Sequence, residues 1–86
     1  MIHLIYTIYD SKAQTYTLPF YMTTDAMAKR QFSNWANDPN HTFGKNPEDY
    51  TLFANGQYDD ETGTITQDHI SSIGIALQFL KNEDSE

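Results

Sequence analysis

From Tyr50 to Asp59 the side chains alternate without interruption, with Tyr50, Leu52, Ala54, Gly56 and Tyr58 on one face of an extended chain. Asn55-Gly56, inside this run, is on its own a hairpin signal. A two-residue turn there would pair Phe53 with Tyr58, but it would also set Leu52 against Asp59 and put Leu52 and Phe53 on opposite faces. The alternation therefore predicts one strand over 49–59, with a bulge or a close backbone approach at Gly56. The turn moves to Asp60-Glu61-Thr62-Gly63, where Gly63 can take positive φ, and a partner strand returns over 63–67.

A long strand needs neighbours. Ile2–Tyr9 is rich in Ile, Tyr and Thr and predicts a strand over 2–9. Ile2, Leu4, Tyr6 and Ile8 share one face, and the other carries His3, Ile5, Thr7 and Tyr9. A strand apolar on both sides is expected inside the sheet or covered by a partner on its second face. Asp10-Ser11-Lys12 ends it with turn chemistry. Ala13–Met22 alternates weakly, and Pro19 confines it to an edge or a loop, so a partly ordered loop packing its rings on the domain is expected.

Thr23-Thr24-Asp25 offers N-cap chemistry, and Ala28, Phe32, Trp35 and Ala36 follow at helical spacing. Asn37-Asp38-Pro39 stops the run, which predicts a packed helix over 24–37 with Lys29, Arg30 and Asn34 reaching water. Asn40–Asn46 reads as a polar loop. Ile70, Ile73, Leu77 and Leu80 recur at helical spacing, while Ile73, Ile75, Leu77 and Phe79 alternate as a strand would. Length and the helix formers near the end favour a helix over 70–81. The expected fold is one α+β domain over 1–81, a small and mainly antiparallel sheet with packed helices, followed by a disordered acidic tail over 82–86.

Eighty-six residues suffice for one core, near the lower size limit for folding alone, so self-association as a homodimer is expected to add burial. With no Cys, disulfides, thiol nucleophiles and thiolate metal sites are excluded. The start lacks the basic and apolar regions of a signal peptide, and its apolar run is too short to cross a bilayer, so no membrane association is expected. Five basic residues against twelve acidic ones give a net charge of −7, which argues against a surface that is basic throughout. Lys12, Lys29, Arg30 and Lys45 nevertheless all precede Asn46, with only Asp10, Asp25 and Asp38 among the acids there. Six Tyr, five Phe and one Trp supply either a ring-built core or a stacking platform for bases.

His3, His41 and His69 lack metal-ligand spacing, and Asp59-Asp60-Glu61 lacks the alternating oxygens of a calcium loop. There is no G-x-S-x-G, phosphate-binding Gly loop or H-E-x-x-H. No enzyme, metal or cofactor is expected. A single-strand groove needs cations for phosphates and rings for bases. Lys12, Lys29, Arg30 and Lys45, interleaved with Tyr9, Tyr16, Phe20 and Phe43, provide both.

Taken in order, Asp10-Ser-Lys12-Ala13-Gln-Thr-Tyr16, Pro19-Phe20, Ala28-x-Arg30-x-Phe32 and Asn37-Asp38 resemble one family. Phe43, Pro47-Glu48-Asp49-Tyr50-x-Leu52, Gly56-x-Tyr58-Asp59 and Gly63 continue the match over residues 4–80. The family is the small non-structural protein of gokushovirus-like microviruses, single-stranded DNA phages of bacteria. The resemblance implies binding of single-stranded DNA during genome replication and packaging in the host cytoplasm. It places Arg30 first among the binding residues, then Lys12 and Lys45, and the pattern of cations interleaved with rings adds Lys29, Tyr16 and Phe43. Net acidity supports the alternative, an interaction module that regulates a phage or host replication protein.

Overall fold

A computed structural model describes residues 1–67 and 70–81. Its frame is one antiparallel ladder between β1 (Ile2–Asp10) and β4 (Tyr50–Asp59), paired from Ile2↔Asp59 to Asp10↔Tyr50. Each long strand has its outer edge covered by two short ones. On β1 these are β2 (Thr15–Tyr16), opposite Tyr9 and Asp10, and β3 (Phe20–Met22), opposite Leu4–Tyr6. On β4 they are β5 (Thr64–Thr66), opposite Gln57–Asp59, and β6 (Ser71–Ile75), opposite Thr51–Ala54. The result is the α+β domain expected, with six antiparallel strands.

Residues 13–22 are thus more ordered than a loop. Pro19 has no amide hydrogen for a ladder, and the strand breaks around it into β2 and β3. Thr17 bridges the break: its amide donates to the Ile8 carbonyl (2.8 Å), and its hydroxyl oxygen accepts from the Ile8 amide (3.0 Å).

β4 runs straight through Asn55-Gly56, as the alternation requires, but it changes faces there. Tyr6 pairs with Ala54 and Ile5 with Gly56, so Asn55 is an extra residue bulged out of the ladder. One extra residue moves the pleat by one position. Tyr58 therefore leaves the face of Tyr50, Leu52 and Ala54, and the expectation of an unbroken face is corrected. Gly56 also makes the close approach: a Cβ there would lie 2.3 Å from the Thr66 carbonyl oxygen. The hairpin falls at Asp60–Gly63 as expected, with Gly63 at φ 74° and its amide donating to the Asp59 carbonyl (2.8 Å).

The helix α1 (Asp25–Ala36) starts at Thr24, whose hydroxyl oxygen accepts from the Met27 amide at 3.2 Å. Its buried stripe of Ala28, Phe32 and Ala36 packs on Tyr6, Ile8 and Leu52 of the sheet. Phe32 is fully buried, with Phe43 and Phe79 ring centroids 5.9 and 5.3 Å away, and its burial contributes about 2–3 kcal/mol. The stretch expected as a polar loop contains a one-turn helix, α2 (Thr42–Lys45), because His41 Nδ1 accepts from the Phe43 amide at 3.1 Å and caps it.

The helix expected over 70–81 is also corrected. Its first part is β6, and only Ala76–Phe79 turns, as a 3-10 helix. The unpaired edge of β4 offers ladder partners, and Ile73, Gly74 and Ile75 are weak helix formers. Asn37 then ties this segment to α1. Its Nδ2 donates to the Phe79 carbonyl (3.0 Å), and its Oδ1 accepts from the Lys81 amide (2.8 Å). The acidic tail expected over 82–86 lies outside the described residues. Among those residues no helix is long and apolar enough to cross a membrane.

Candidate nucleic-acid interface

Among the described residues the helices lie against one face of the sheet. The opposite face carries the second set of β1 side chains, His3, Ile5, Thr7 and Tyr9, beside Thr51, Phe53 and Asn55 of β4. The bulge adds Tyr58, which lies opposite His3. Ladder pairing brings Tyr16 beside Tyr9, Tyr21 beside Ile5 and Ile65 beside Tyr58.

The rings form two groups. Tyr9 and Tyr16 have centroids 4.7 Å apart, with Phe53 edge-on to Tyr16 at 5.7 Å. Tyr58 lies 6.3 Å from His3 and 6.4 Å from Tyr21. Tyr16 and Tyr21 are about half exposed, at 48% and 51%. Beside the second group lies a cavity of about 280 Å³ walled by Ile5, Thr7, Tyr21, Asn55, Ile65 and Gln67. A shallower hollow of about 410 Å³ is lined by His3, Tyr21 and Tyr58. None of these side chains is Lys, Arg, Asp or Glu.

Asp59, Asp60 and Glu61 gather around the Met1 ammonium at one end of the sheet. Asp60 accepts from the Met1 ammonium at 2.7 Å and lies 2.7 Å from His3 Nε2. The ammonium first, and His3 second, hold the Asp60 carboxyl below the usual carboxylate range. Among the described residues no group of three or more His, Asp or Glu side chains is placed to hold a metal ion.

The residues singled out from sequence separate. Tyr16 lies on the open face. Phe43 is core, 9% exposed, with the Tyr50 ring at 4.6 Å, and cannot receive a base. Phe20 also turns inward, 5.8 Å from Tyr6 and 5.7 Å from Trp35. Lys29 and Arg30 are exposed on α1 and Lys45 on α2, on the helical side, so the sheet stands between them and the open-face rings. Lys12 occupies the turn joining the strands of Tyr9 and Tyr16, with its Nζ 3.9 Å from Asp49 Oδ2.

Tyr21, Phe53, Asn55 and Tyr58 join this face without being singled out by the pattern of cations and rings in the sequence. The signal for the face was present in the His3-Ile5-Thr7-Tyr9 alternation. Tyr58 was hidden by the bulge, and Tyr21 by the strand break at Pro19. No curated protein and no solved structure matches the chain. Residues 3–79 match the family model described as Phage ORF5 protein, and the chain belongs to that phage protein family.

Proposed function

We propose that this phage accessory protein binds single-stranded DNA by stacking bases on the open face of its sheet. The reading rests on the two ring groups, Tyr9–Tyr16–Phe53 and His3–Tyr21–Tyr58, none of whose members is Lys, Arg, Asp or Glu. Bases stack on rings for about 1–3 kcal/mol each, largely regardless of sequence. The resemblance to the non-structural proteins of gokushovirus-like microviruses supplies the strand: a viral genome being replicated and packaged in the host cytoplasm. In this reading the protein acts by binding and not by catalysis.

Phosphate neutralisation contributes little here, because Lys12 is the only Lys or Arg in the turn beside these rings and the net charge is −7. Three stacked bases at roughly 2 kcal/mol each correspond to a Kd of tens of micromolar. Anisotropy titration of labelled oligo(dT) tests the reading. The slope of log K against log salt is expected to be shallower than about −1.5, since each neutralised phosphate of a single strand contributes about −0.7. Tyr16→Ala and Tyr21→Ala should each weaken binding about tenfold, and Arg30→Glu should leave it within about twofold. Loss of binding in Arg30→Glu with the ring variants unaffected overturns the stacking mechanism. No binding at low salt overturns the function.

A protein on the same face is the second reading, favoured by Ile65, which is 65% exposed beside the rings. The occupant would be a second copy of the chain or a phage or host replication protein. Light scattering at micromolar concentration separates the cases. A dimer that dissociates when oligo(dT) is added places both partners on one face, and a dimer indifferent to DNA removes self-association from it.

A further inference from the structure

We propose that the hollow between Tyr21 and Tyr58 receives an arginine side chain of a partner protein, with an apolar neighbour of that arginine seated in the cavity beside Ile65. This rests on the protein-binding reading of the open face and names its chemistry. The hollow, about 410 Å³, is lined by His3, Tyr21 and Tyr58. The two tyrosine rings have centroids 6.4 Å apart and planes inclined at 52°. A cation resting between them lies within the ~6 Å over which a ring face attracts it.

Charge complementarity sets the sign of the occupant. Asp60 is joined to the hollow through His3, with its Oδ2 2.7 Å from His3 Nε2, and Asp59 and Glu61 flank it. Among the described residues the ion partners of these three carboxylates are the Met1 ammonium and His3, so negative charge is in excess. The ammonium and His3 hold the Asp60 carboxyl below the usual carboxylate range, which keeps it ionised at neutral pH. Glu61 is 82% exposed and reaches water. Such a surrounding attracts a cation and repels phosphate. A guanidinium suits it better than an ammonium does, because it is planar, more weakly hydrated, and stacks on a ring while its N–H groups pair with a carboxylate.

Apolar surface next to the hollow favours a protein segment over a free cation. The cavity of about 280 Å³ shares Tyr21 with the hollow and adds Ile5, Pro19 and Ile65. Ile65 is 65% exposed there. A polyamine or free arginine would leave that surface in water, whereas a chain with Leu or Ile beside its arginine covers both. Bases and partner then share Tyr21 and compete for this end of the face. Tyr9, Tyr16 and Phe53, at the end that carries Lys12, are left to DNA.

Anisotropy titrations with two labelled peptides test the proposal, one holding arginine between two leucines and the other glutamine in its place. Wild-type protein should bind the arginine peptide about tenfold more tightly. Glu61→Gln, at an exposed position, and Asp60→Asn should each weaken the arginine peptide about threefold without weakening oligo(dT). Tyr58→Leu should bring the preference for arginine to about twofold or less. Equal binding of the two peptides by wild-type protein overturns the arginine site and leaves protein docking on this face standing. A preference unchanged in both Glu61→Gln and Asp60→Asn overturns it as well. Peptide binding that weakens as the protein is concentrated into a dimer makes a second copy the occupant and also overturns it. Binding of neither peptide overturns the site and protein docking there together, while binding of oligo(dT) is read separately.

Discussion

Tyr6 shows how one side chain serves both layers of the molecule. Its ring is fully buried under α1, and its hydroxyl donates to Asp25 in the first turn of that helix. Burial first, and the Asp25 carboxylate second, push the phenol well above its ordinary value of 10.0. The folded state therefore holds this proton more tightly than the unfolded chain does, and the stability linked to it is lost as pH rises above 10. Tyr6→Phe is expected to cost about 1 kcal/mol at neutral pH, where the hydrogen bond is lost. It should also lose less stability than wild type as pH rises past that point, which thermal melts across the alkaline range would detect. Asn37 has a comparable role at the other end of α1, where it satisfies both Phe79 and Lys81 of the returning chain. Asn37→Ala should destabilise by about 1 kcal/mol in denaturant melts, since the Phe79 carbonyl and the Lys81 amide lose their side-chain partner. Sequence alone marked Asn37 as a helix stop, and its second task depends on residues more than forty positions away.

At the level of elements, β4 was legible because its alternation is long and its hairpin carries a glycine suited to positive φ. The bulge was legible as a place, at Asn55-Gly56, but not as a change of face. That outcome depends on which β1 residue each side of the bulge selects, and the selection is made across the ladder. Gly56→Ala should destabilise by about 1–3 kcal/mol through the clash with the Thr66 carbonyl. Hydrogen exchange should show β5 losing protection before β1, since that carbonyl lies just across from Gly56. The C-terminal stretch gives the converse lesson. Its spacing satisfies helix and strand alike, and the open edge of β4 settles the matter by offering ladder bonds to Ser71–Ile75.

For the whole molecule, the decisive arrangement is that helices cover one side of the sheet and leave rings on the other. The two-sided apolar character of β1 anticipated an occupied second face. In the monomer Ile5 and Thr7 are each only 8% exposed there, beside side chains from neighbouring strands. If bases take that face, oligo(dT) should quench tyrosine fluorescence, and Tyr9→Leu combined with Tyr58→Leu should abolish most of the change while the fold survives. By itself the sequence determined the α+β class, the two long strands, the capped helix and the hairpin, because each follows from local periodicity and turn chemistry. Tertiary structure alone decided that Phe43 is core, that Tyr58 and Tyr21 join one face, and that Arg30 and Lys29 lie across the sheet from the rings. Those outcomes turn on strand register and on which edge each segment pairs with, and both are set by contacts between residues far apart in the chain.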